Sequence, residues 1–391
     1  MKSTREEKKK SSSHMRDWHF ELLRLVSMLL IVATHFFAAD NWPVRTDSAL
    51  TQTWGASIQI ASSMIGQVGV ALFMLISAYF LAFSTSNPCT RLVKLWTQVF
   101  IYSFGLLVLF SLIQDTSIVP KQYRIPIHAG AFISHALPII FNEYWFVSAY
   151  FVVVLLAPFT NKLLDSLSFH QSIVLTVIML WITFGWRLIN PSIDYFSNLI
   201  YLFSIYLIGA MIRRQKQHLP DLRIWQTAII TIACCILCIA GTHFLALHDN
   251  IAQKLGYPIN LLAGGEGSSP ILAVIMATAI FICMVRNLPT KTHRTILTDF
   301  IVRIAPATFG VYLLHEHNIW KPILWHYVFS MEQPAGIAGK ALFAIISILV
   351  VYILLLAVCY VIHICITHPV CVFSEKIIMR ISSTSHTITR S

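Results

Sequence analysis

The chain has 391 residues, of which 57% are hydrophobic and only 12% are charged, and its mean hydropathy is +0.70. Soluble domains carry about 25% charged residues, so this composition excludes a soluble globular protein and indicates an integral membrane protein. The formal net charge of +11 does not indicate nucleic-acid binding, because Lys and Arg lie in short segments between apolar runs and form no contiguous basic patch.

The first apolar run, Trp18 to Ala38, is long enough to cross a bilayer yet contains Glu21, Arg24 and His35. Ionisable side chains are costly in the hydrocarbon region unless they face a protein interior or a wet cavity. At about 100° and ~1.5 Å per residue, Arg24 and His35 share one helix face and lie roughly 16 Å apart along the axis. Glu21 lies one turn before Arg24 and is placed to pair with it. This face predicts the wall of a polar tunnel; the alternative is that Arg24 and His35 extend to the two membrane interfaces.

Ten apolar segments are long enough to span, which predicts an all-α integral membrane protein with about ten transmembrane helices. They lie near residues 18–38, 57–83, 92–113, 145–161, 171–189, 196–212, 224–246, 269–286, 301–320 and 341–367. The first run has no small-residue cleavage site after it, so we expect it to stay attached. The membrane domain is predicted over 16–370, between a basic, disordered cytosolic tail (1–15) and a cytosolic C-terminal tail (371–391).

The charges of the connecting segments predict the orientation. With the N-terminus in the cytosol, 20 Lys and Arg residues fall on the inner side and 7 on the outer side, while Arg24 lies within a span. This excess follows the positive-inside rule and predicts that both termini are cytosolic. It also places His35 near the outer face.

The eight cysteines all fall in predicted spans or on the predicted cytosolic side, so no disulfide framework is implied. Cys234, Cys235 and Cys238 lie in an apolar helix without a His partner, which favours packing over metal binding. His315 and His317 are two residues apart and point to different helix faces, so we predict no metal site there.

Polar residues beyond the first helix sort into two groups. The predicted outer group comprises Glu143, Glu266, His315, Glu316 and His317, which with His35 offer titratable groups for proton transfer near neutral pH. The predicted inner group comprises Arg91, Lys94, Arg213, Arg214 and Lys216, cations that suit a phosphate-bearing molecule. Topology alone explains the last three equally well. In the predicted outer segment between the third and fourth helices, the apolar stretch His128–Ile140 is too short to span the membrane and is expected to be re-entrant or interfacial.

From about Arg16 to His368 the sequence resembles acyltransferase family 3, the integral membrane O-acyltransferases that modify cell-surface polysaccharides. The segments that carry the resemblance are FELLRLVSMLLIVATHF, with an Arg and a His separated by ten residues, then GVALFMLISAYFL, RLVKLW, YWFVSAYFVVVLLAPFTN, SSPILAV and FGVYLLH. Two positions depart from the family pattern. Ala78 replaces a usual Gly, and Lys94 stands where a second Arg of an Arg-x-x-Arg pair is common, so it offers a point charge and no bidentate fork.

The resemblance implies an acyl-CoA donor, usually acetyl-CoA, that is a cytosolic substrate and no permanently bound cofactor. It implies an acceptor hydroxyl on a surface glycan or a lipid-linked precursor, a bacterial cytoplasmic membrane as the location, and polysaccharide assembly machinery as a further partner. His35 would be the general base or a transient acyl carrier, Arg24 would orient or stabilise the thioester carbonyl, and Glu143 or His315 would position His35 or the acceptor.

The remaining candidates concern binding. Donor phosphates would contact the inner cations Arg91, Lys94, Arg213 and Arg214. The family motifs make Trp145, Ser77 and Tyr79 candidates for substrate contact.

Two other classes of function remain open at this point. A secondary transporter or flippase for a glycolipid also lines its path with polar residues, but transporters usually show two related halves, and this sequence shows none. A non-catalytic partner of a polysaccharide assembly machine would leave the stripe of Arg24 and His35 unexplained.

Overall fold

The computed structural model of the protein describes residues 17–38, 53–84, 87–193, 195–265, 267–289, 295–330 and 337–377. The predicted tail 1–15 and Glu266 lie outside the described residues, as does most of the predicted C-terminal tail. The described part is 80% helical and contains no strand, which confirms the all-α prediction.

The α-helices are α1 (Trp18–Ala38), α2 (Trp54–Ala61), α3 (Ser63–Leu81), α4 (Pro88–Ile113), α5 (Ala129–Ala136), α6 (Trp145–Ser166), α7 (Phe169–Leu180), α8 (Trp186–Ile189), α9 (Asn198–Arg214), α10 (Ile224–Leu247), α11 (Asp249–Leu255), α12 (Ile271–Arg286), α13 (Ile296–Ile304), α14 (Thr308–His315), α15 (Trp320–Ile323) and α16 (Ile337–Ile362). Short 3₁₀ turns lie at Lys121–Tyr123, Lys216–His218 and Ala305–Ala307. Single π turns lie at Trp181–Gly185, Leu324–Val328 and His363–Thr367.

Eight helical stretches in the described residues are long and apolar enough to cross a membrane, so the protein is a multi-pass membrane protein. The two other predicted spans correspond to α9 and α12, which have 17 and 16 residues. Both of these helices pack against α3, and most of their side chains are buried.

Three predicted helices are interrupted: the second at Ser62, the fifth at the π turn Trp181–Gly185 and the ninth at Pro306. Pro306 has no N–H to donate, and the predicted ninth helix breaks at the 3₁₀ turn around it, so α13 and α14 are separate. The second predicted helix bends at Ser62, which divides α2 from α3. The last predicted helix is longer than expected, since helical structure runs through the π turn to Ile377. Residues 371–377 therefore belong to this helix and not to the tail.

Helix α3 is the centre of the bundle and packs against α1, α9 and α12. Its contact with α1 is close because a Cβ at Gly69 would overlap the carbonyl oxygen of Ser27 on α1. This approach fixes the face of α1 that carries the polar residues. In contrast, α10 at the periphery leaves Ile229, Ile232 and Ile236 exposed, as expected for a lipid-facing helix.

Candidate active site

The end of α1 brings His35 beside a short segment that follows α14. His35 Nε2 lies 3.2 Å from Glu316 Oε1, and Lys321 Nζ lies 3.0 Å from the same oxygen. Glu316 is nearly buried, whereas the His35 side chain keeps 24% of its surface exposed. The three residues form a His–carboxylate–Lys chain at one end of the helix bundle.

The carboxylate decides which nitrogen of His35 carries the proton. Burial alone would raise the pKa of Glu316, but His35, His315 and Lys321 together hold it below its ordinary value, so the group is ionised at neutral pH. An ionised carboxylate only accepts hydrogen bonds. Glu316 Oε1 has no partner with hydrogen-bond geometry among the described residues, so its 3.2 Å contact with His35 is electrostatic. An anionic oxygen beside Nε2 favours the tautomer of neutral His35 that has its proton on Nε2 and a lone pair on Nδ1.

His315 stands next to His35, with ring centroids 5.2 Å apart, and its side chain is fully buried. Its Nδ1 lies 2.5 Å from the carbonyl oxygen of Val311, which can only accept. The proton of neutral His315 is therefore on Nδ1. Its Nε2 is a buried acceptor with no hydrogen-bond partner among the described residues.

Trp325 completes the wall of this site. It lies on the π turn Leu324–Val328, and its ring centroid is 6.3 Å from that of His35 and 6.0 Å from that of His315. The site therefore combines a base, a carboxylate that orients it, and polar atoms of two buried rings.

His35, His315 and Glu316 also place one potential metal-ligand atom each within 4.8 Å of one another. The ammonium of Lys321 already lies against Glu316, and a second cation there would be repelled. The donor set therefore suits an ion-paired histidine better than a metal, although the prediction of no metal stays a prediction.

Glu143 belongs to a second polar cluster. It accepts a hydrogen bond of 2.8 Å from Asn318 Nδ2 and lies 3.9 Å from His135 Nε2. His317 joins this cluster through ring contact with His135, and burial lowers the pKa of His317 to about 3. The structure thus separates His315 from His317 as their spacing predicts. It brings His315 beside His35 but does not bring Glu143 there, and Glu316 is the carboxylate that contacts His35.

A large cavity of about 1260 Å³ opens at the other end of α1. Four cations and two carboxylates line it: Arg24, Lys94, Arg213, Lys216, Asp17 and Glu21. Because these residues come from α1, α4 and the region around the end of α9, the cavity collects the charged ends of several helices. We call it the inner cavity.

Some of the predicted inner residues line this cavity, and others do not. Arg24 pairs with Glu21 at 2.7 Å, as the sequence predicts. Arg213 donates a hydrogen bond of 2.7 Å to the Tyr79 hydroxyl and lies 4.5 Å from the Tyr79 ring centroid. Lys94 reaches Glu375 at 2.8 Å. Arg24, Lys94, Arg213 and Tyr79 therefore share the inner cavity.

The other inner cations lie outside its lining. Arg91 donates to the Ser84 hydroxyl at 2.6 Å, and Arg214 binds Asp165 at 2.8 Å. These contacts indicate structural roles at the helix ends.

The remaining candidates lie between or beside the two regions. The Ser77 hydroxyl donates to the carbonyl of Phe73 one turn earlier, a local bond within α3. Trp145 is half-buried at the start of α6 and packs edge-on against Phe146. The geometry assigns neither residue to the His35 site or to the lining of the inner cavity.

An apolar layer separates the inner cavity from His35. It encloses a void of only about 10 Å³ and is formed by Met28, Ile31, Val70, Phe73, Phe146, Phe309 and Tyr312. Phe73 and Phe309 also line the inner cavity, so the layer is its roof. The predicted polar tunnel is therefore closed in this state, and Arg24 does not approach His35.

Sequence reasoning placed Glu316 among the outer titratable groups without pairing it with His35, and it assigned no role to Lys321 or Trp325. The predicted ninth helix contains Glu316 but does not show which helix packs against it. In the structure the amide of Glu316, the residue after α14, still donates to the carbonyl oxygen of Tyr312, and its side chain lies against His35 of α1. The run His315-Glu316-His317 at the end of FGVYLLHEH was the sequence feature that could have indicated a carboxylate close to His315.

Comparison with known families gives one match. The model of the acyltransferase domain of acyltransferase family 3 matches residues 17–364, nearly the whole chain. No curated protein and no solved structure matches the chain.

Proposed function

The chain belongs to acyltransferase family 3 and is a membrane O-acyltransferase, and from this premise we propose that it moves an acetyl group from cytosolic acetyl-CoA to a sugar hydroxyl of a surface glycan or its lipid-linked precursor. The single observation that carries the proposal is the His35–Glu316 pair at one end of α1, with a cation-lined cavity at the other end. A base and a phosphate-binding cavity are the two parts that such a transfer needs.

The donor would bind in the inner cavity. Its phosphates are anionic, and Arg213 offers a guanidinium whose nearest partner is the neutral phenol of Tyr79. Lys94 and Lys216 add point charges at the same cavity. Arg24 lies deeper on α1 and would orient the arm that carries the thioester, a role consistent with its distance from His35.

The thioester then has to cross the apolar layer. Arg24 and His35 are eleven residues apart on α1, about 16 Å along its axis. The pantetheine arm of CoA is a thin chain that is long enough to cover a distance of this order. The layer consists mainly of Met, Ile and Phe side chains that can change rotamer to admit it while still excluding water.

Transfer would then follow ordinary acyl chemistry. The sugar hydroxyl gives its proton to Nδ1 of His35 as its oxygen attacks the thioester carbon, and Glu316 stabilises the imidazolium that forms. The tetrahedral intermediate collapses, the C–S bond breaks, and the thiolate of CoA takes the proton from His35. The products are an ester and CoA thiol.

Inverted membrane vesicles, whose cytosolic face is on the outside, test this function when acetyl-CoA carrying a labelled acetyl group is added to the medium. The wild type is expected to transfer the label to glycolipid in the vesicles, and the His35→Gln protein is not. Movement of glycolipid without incorporation of label would instead support a flippase and reject the proposal.

The orientation can be tested by labelling single cysteines in a cysteine-free background, which is feasible because all eight native cysteines are free thiols. Lys254→Cys on α11 is expected to react with an impermeant maleimide from outside the cell, and Gln217→Cys is not, because the charge asymmetry places them on opposite sides. The reverse pattern would place the inner cavity outside the cell and contradict the proposed donor site.

Removing two cations of the inner cavity is expected to weaken donor binding. Lys94→Ala combined with Arg213→Ala should raise the KM for acetyl-CoA by about tenfold or more, because each substitution removes a charged contact with the donor phosphates. The contribution of Lys94 is expected to be the smaller one, since its side chain is partly exposed and solvent screens its charge. Lys162→Ala is the matched control, since Lys162 is exposed on α6 and does not line the cavity. An equal change in both proteins, or in neither, would reject the inner cavity as the donor site.

A further inference from the structure

Trp325 has a buried polar atom that the fold does not use. The side chain is 2% exposed, and Nε1 has no hydrogen-bond partner among the residues that the structure describes. An indole nitrogen is a donor only, and buried donors without partners are rare because leaving one unpaired destabilises the fold. An unpaired buried donor near a candidate base is available to form a hydrogen bond with a bound ligand.

Its position is specific. The Trp325 ring lies 6.3 Å from that of His35 and 6.0 Å from that of His315, between centroids. The π turn Leu324–Val328 carries it there, and isolated π turns are frequent at functional sites. Trp320, at the start of α15, shows the ordinary alternative because its Nε1 donates to the carbonyl oxygen of Leu106 at 3.0 Å.

We propose that the indole N–H of Trp325 donates a hydrogen bond to the carbonyl oxygen of the transferring acyl group. This inference rests on the proposed function, since it assigns a second contact with the reacting atoms at the same site. It makes Trp325 a catalytic residue, a role that neither its sequence position nor the family match assigns.

The chemistry of the step requires such a donor. As the sugar oxygen forms its bond to the thioester carbon, the pair of electrons of the C=O π bond moves onto the carbonyl oxygen, and the proton of the hydroxyl moves to His35. The oxyanion accepts the N–H of Trp325 until the C=O bond re-forms and the thiolate leaves. A fixed donor in a water-free site is most effective at this moment, because its hydrogen bond strengthens as charge develops.

A second unpartnered atom fits the same geometry. His315 Nε2 has a lone pair and no partner among the described residues. It can accept a hydrogen bond from the incoming sugar, whereas the indole nitrogen of Trp325 can only donate one. His315 therefore offers an acceptor for the sugar and Trp325 a donor for the acyl group, and the ring of His35 lies near both side chains.

Trp325→Phe tests the proposal, because phenylalanine keeps an aromatic ring but has no N–H. In inverted vesicles, with acetyl-CoA as the donor and vesicle glycolipid as the acceptor, kcat for release of CoA thiol is expected to fall about 10²–10³-fold with little change in the KM for acetyl-CoA. The Tm of the purified full-length protein should stay the same or rise, because the substitution removes an unpaired buried donor. Wild-type kcat in this variant would overturn the proposal.

Trp320→Phe is the matched control. It removes a hydrogen bond that the fold uses, so its Tm is expected to fall while kcat stays near that of the wild type. If Trp325→Phe lowers the Tm instead, Trp325→His, which retains a ring N–H, decides the question: kcat above that of the Phe variant supports the donor role, and equal kcat rejects it. Activity in Trp325→Phe but not in His35→Gln would reject only the role of Trp325, whereas activity in His35→Gln would reject the proposed function itself.

Discussion

Replacing His35 by Gln is expected to lower the rate of acyl transfer by about 10²–10⁴-fold, the contribution of a well-placed general base. Glutamine can still donate a hydrogen bond to Glu316, which lies 3.2 Å from His35 Nε2, but it cannot take the proton of the attacking hydroxyl. Protein level and membrane insertion should therefore be unchanged. The measurement is transfer of labelled acetyl from acetyl-CoA to vesicle glycolipid, normalised to the amount of protein.

His243→Gln is the control for this experiment. His243 contacts Trp54 and Ser57 at another part of the bundle and takes no part in the His35 cluster. The same change of side chain there is expected to leave transfer near the wild-type rate. Near-normal transfer by the His35 variant would show that the imidazole is structural.

Replacing Glu316 by Gln is expected to cause a loss of comparable size. The ionised carboxylate lies 3.2 Å from Nε2 of His35 and favours a proton on that nitrogen, which leaves Nδ1 free to act as the base. An amide can donate to Nε2 and stabilise the opposite tautomer, and the corresponding change of carboxylate to amide in serine proteases lowers kcat about 10⁴-fold. We expect transfer to fall about 10²–10⁴-fold with the KM for acetyl-CoA little changed, measured in the vesicle assay.

The companion variant is Glu143→Gln, the same chemical change in a carboxylate of the neighbouring polar cluster. Glu143 contacts Asn318 and lies near His135, away from His35, so its effect on transfer is expected to be much smaller. A large loss in Glu143→Gln with a small one in Glu316→Gln would reverse the assignment and restore the prediction made from the sequence.

Hydrophobic length and charge were sufficient to predict the helices. Each predicted span has a helical counterpart because a run of about 20 apolar residues satisfies its own backbone hydrogen bonds only as a helix. The breaks were not predicted. Pro306 lies inside an apolar run, and hydropathy does not show that the α-helical pattern of hydrogen bonds is interrupted there.

The pairing of Glu21 with Arg24 was predictable because it depends on spacing within one helix. The contact of His35 with Glu316 joins α1 to a segment about 280 residues later and depends on the packing of α14 against α1. The spacing of residues within one helix does not show which distant segment packs against it.

The shared face of Arg24 and His35 predicted the wall of a polar tunnel, and in the structure an apolar layer closes that path between the two residues. Met28 and Ile31 lie between the two residues on α1 and join aromatic side chains from other helices to form the apolar layer. Single-helix periodicity shows which residues share a face and does not show what packs against it. The tertiary packing places Arg24 with the inner cations and His35 with Glu316.

The most direct test of the account is the O-acyl content of the surface glycan, determined by mass spectrometry and NMR in cells that carry the wild-type gene, the His35→Gln variant or no copy of the gene. We predict O-acyl groups on defined sugar hydroxyls in the wild-type cells and their absence in the other two strains, with equal amounts of the wild-type and variant proteins in the membrane. The same O-acylation in all three strains would contradict acyl transfer to a surface glycan at His35.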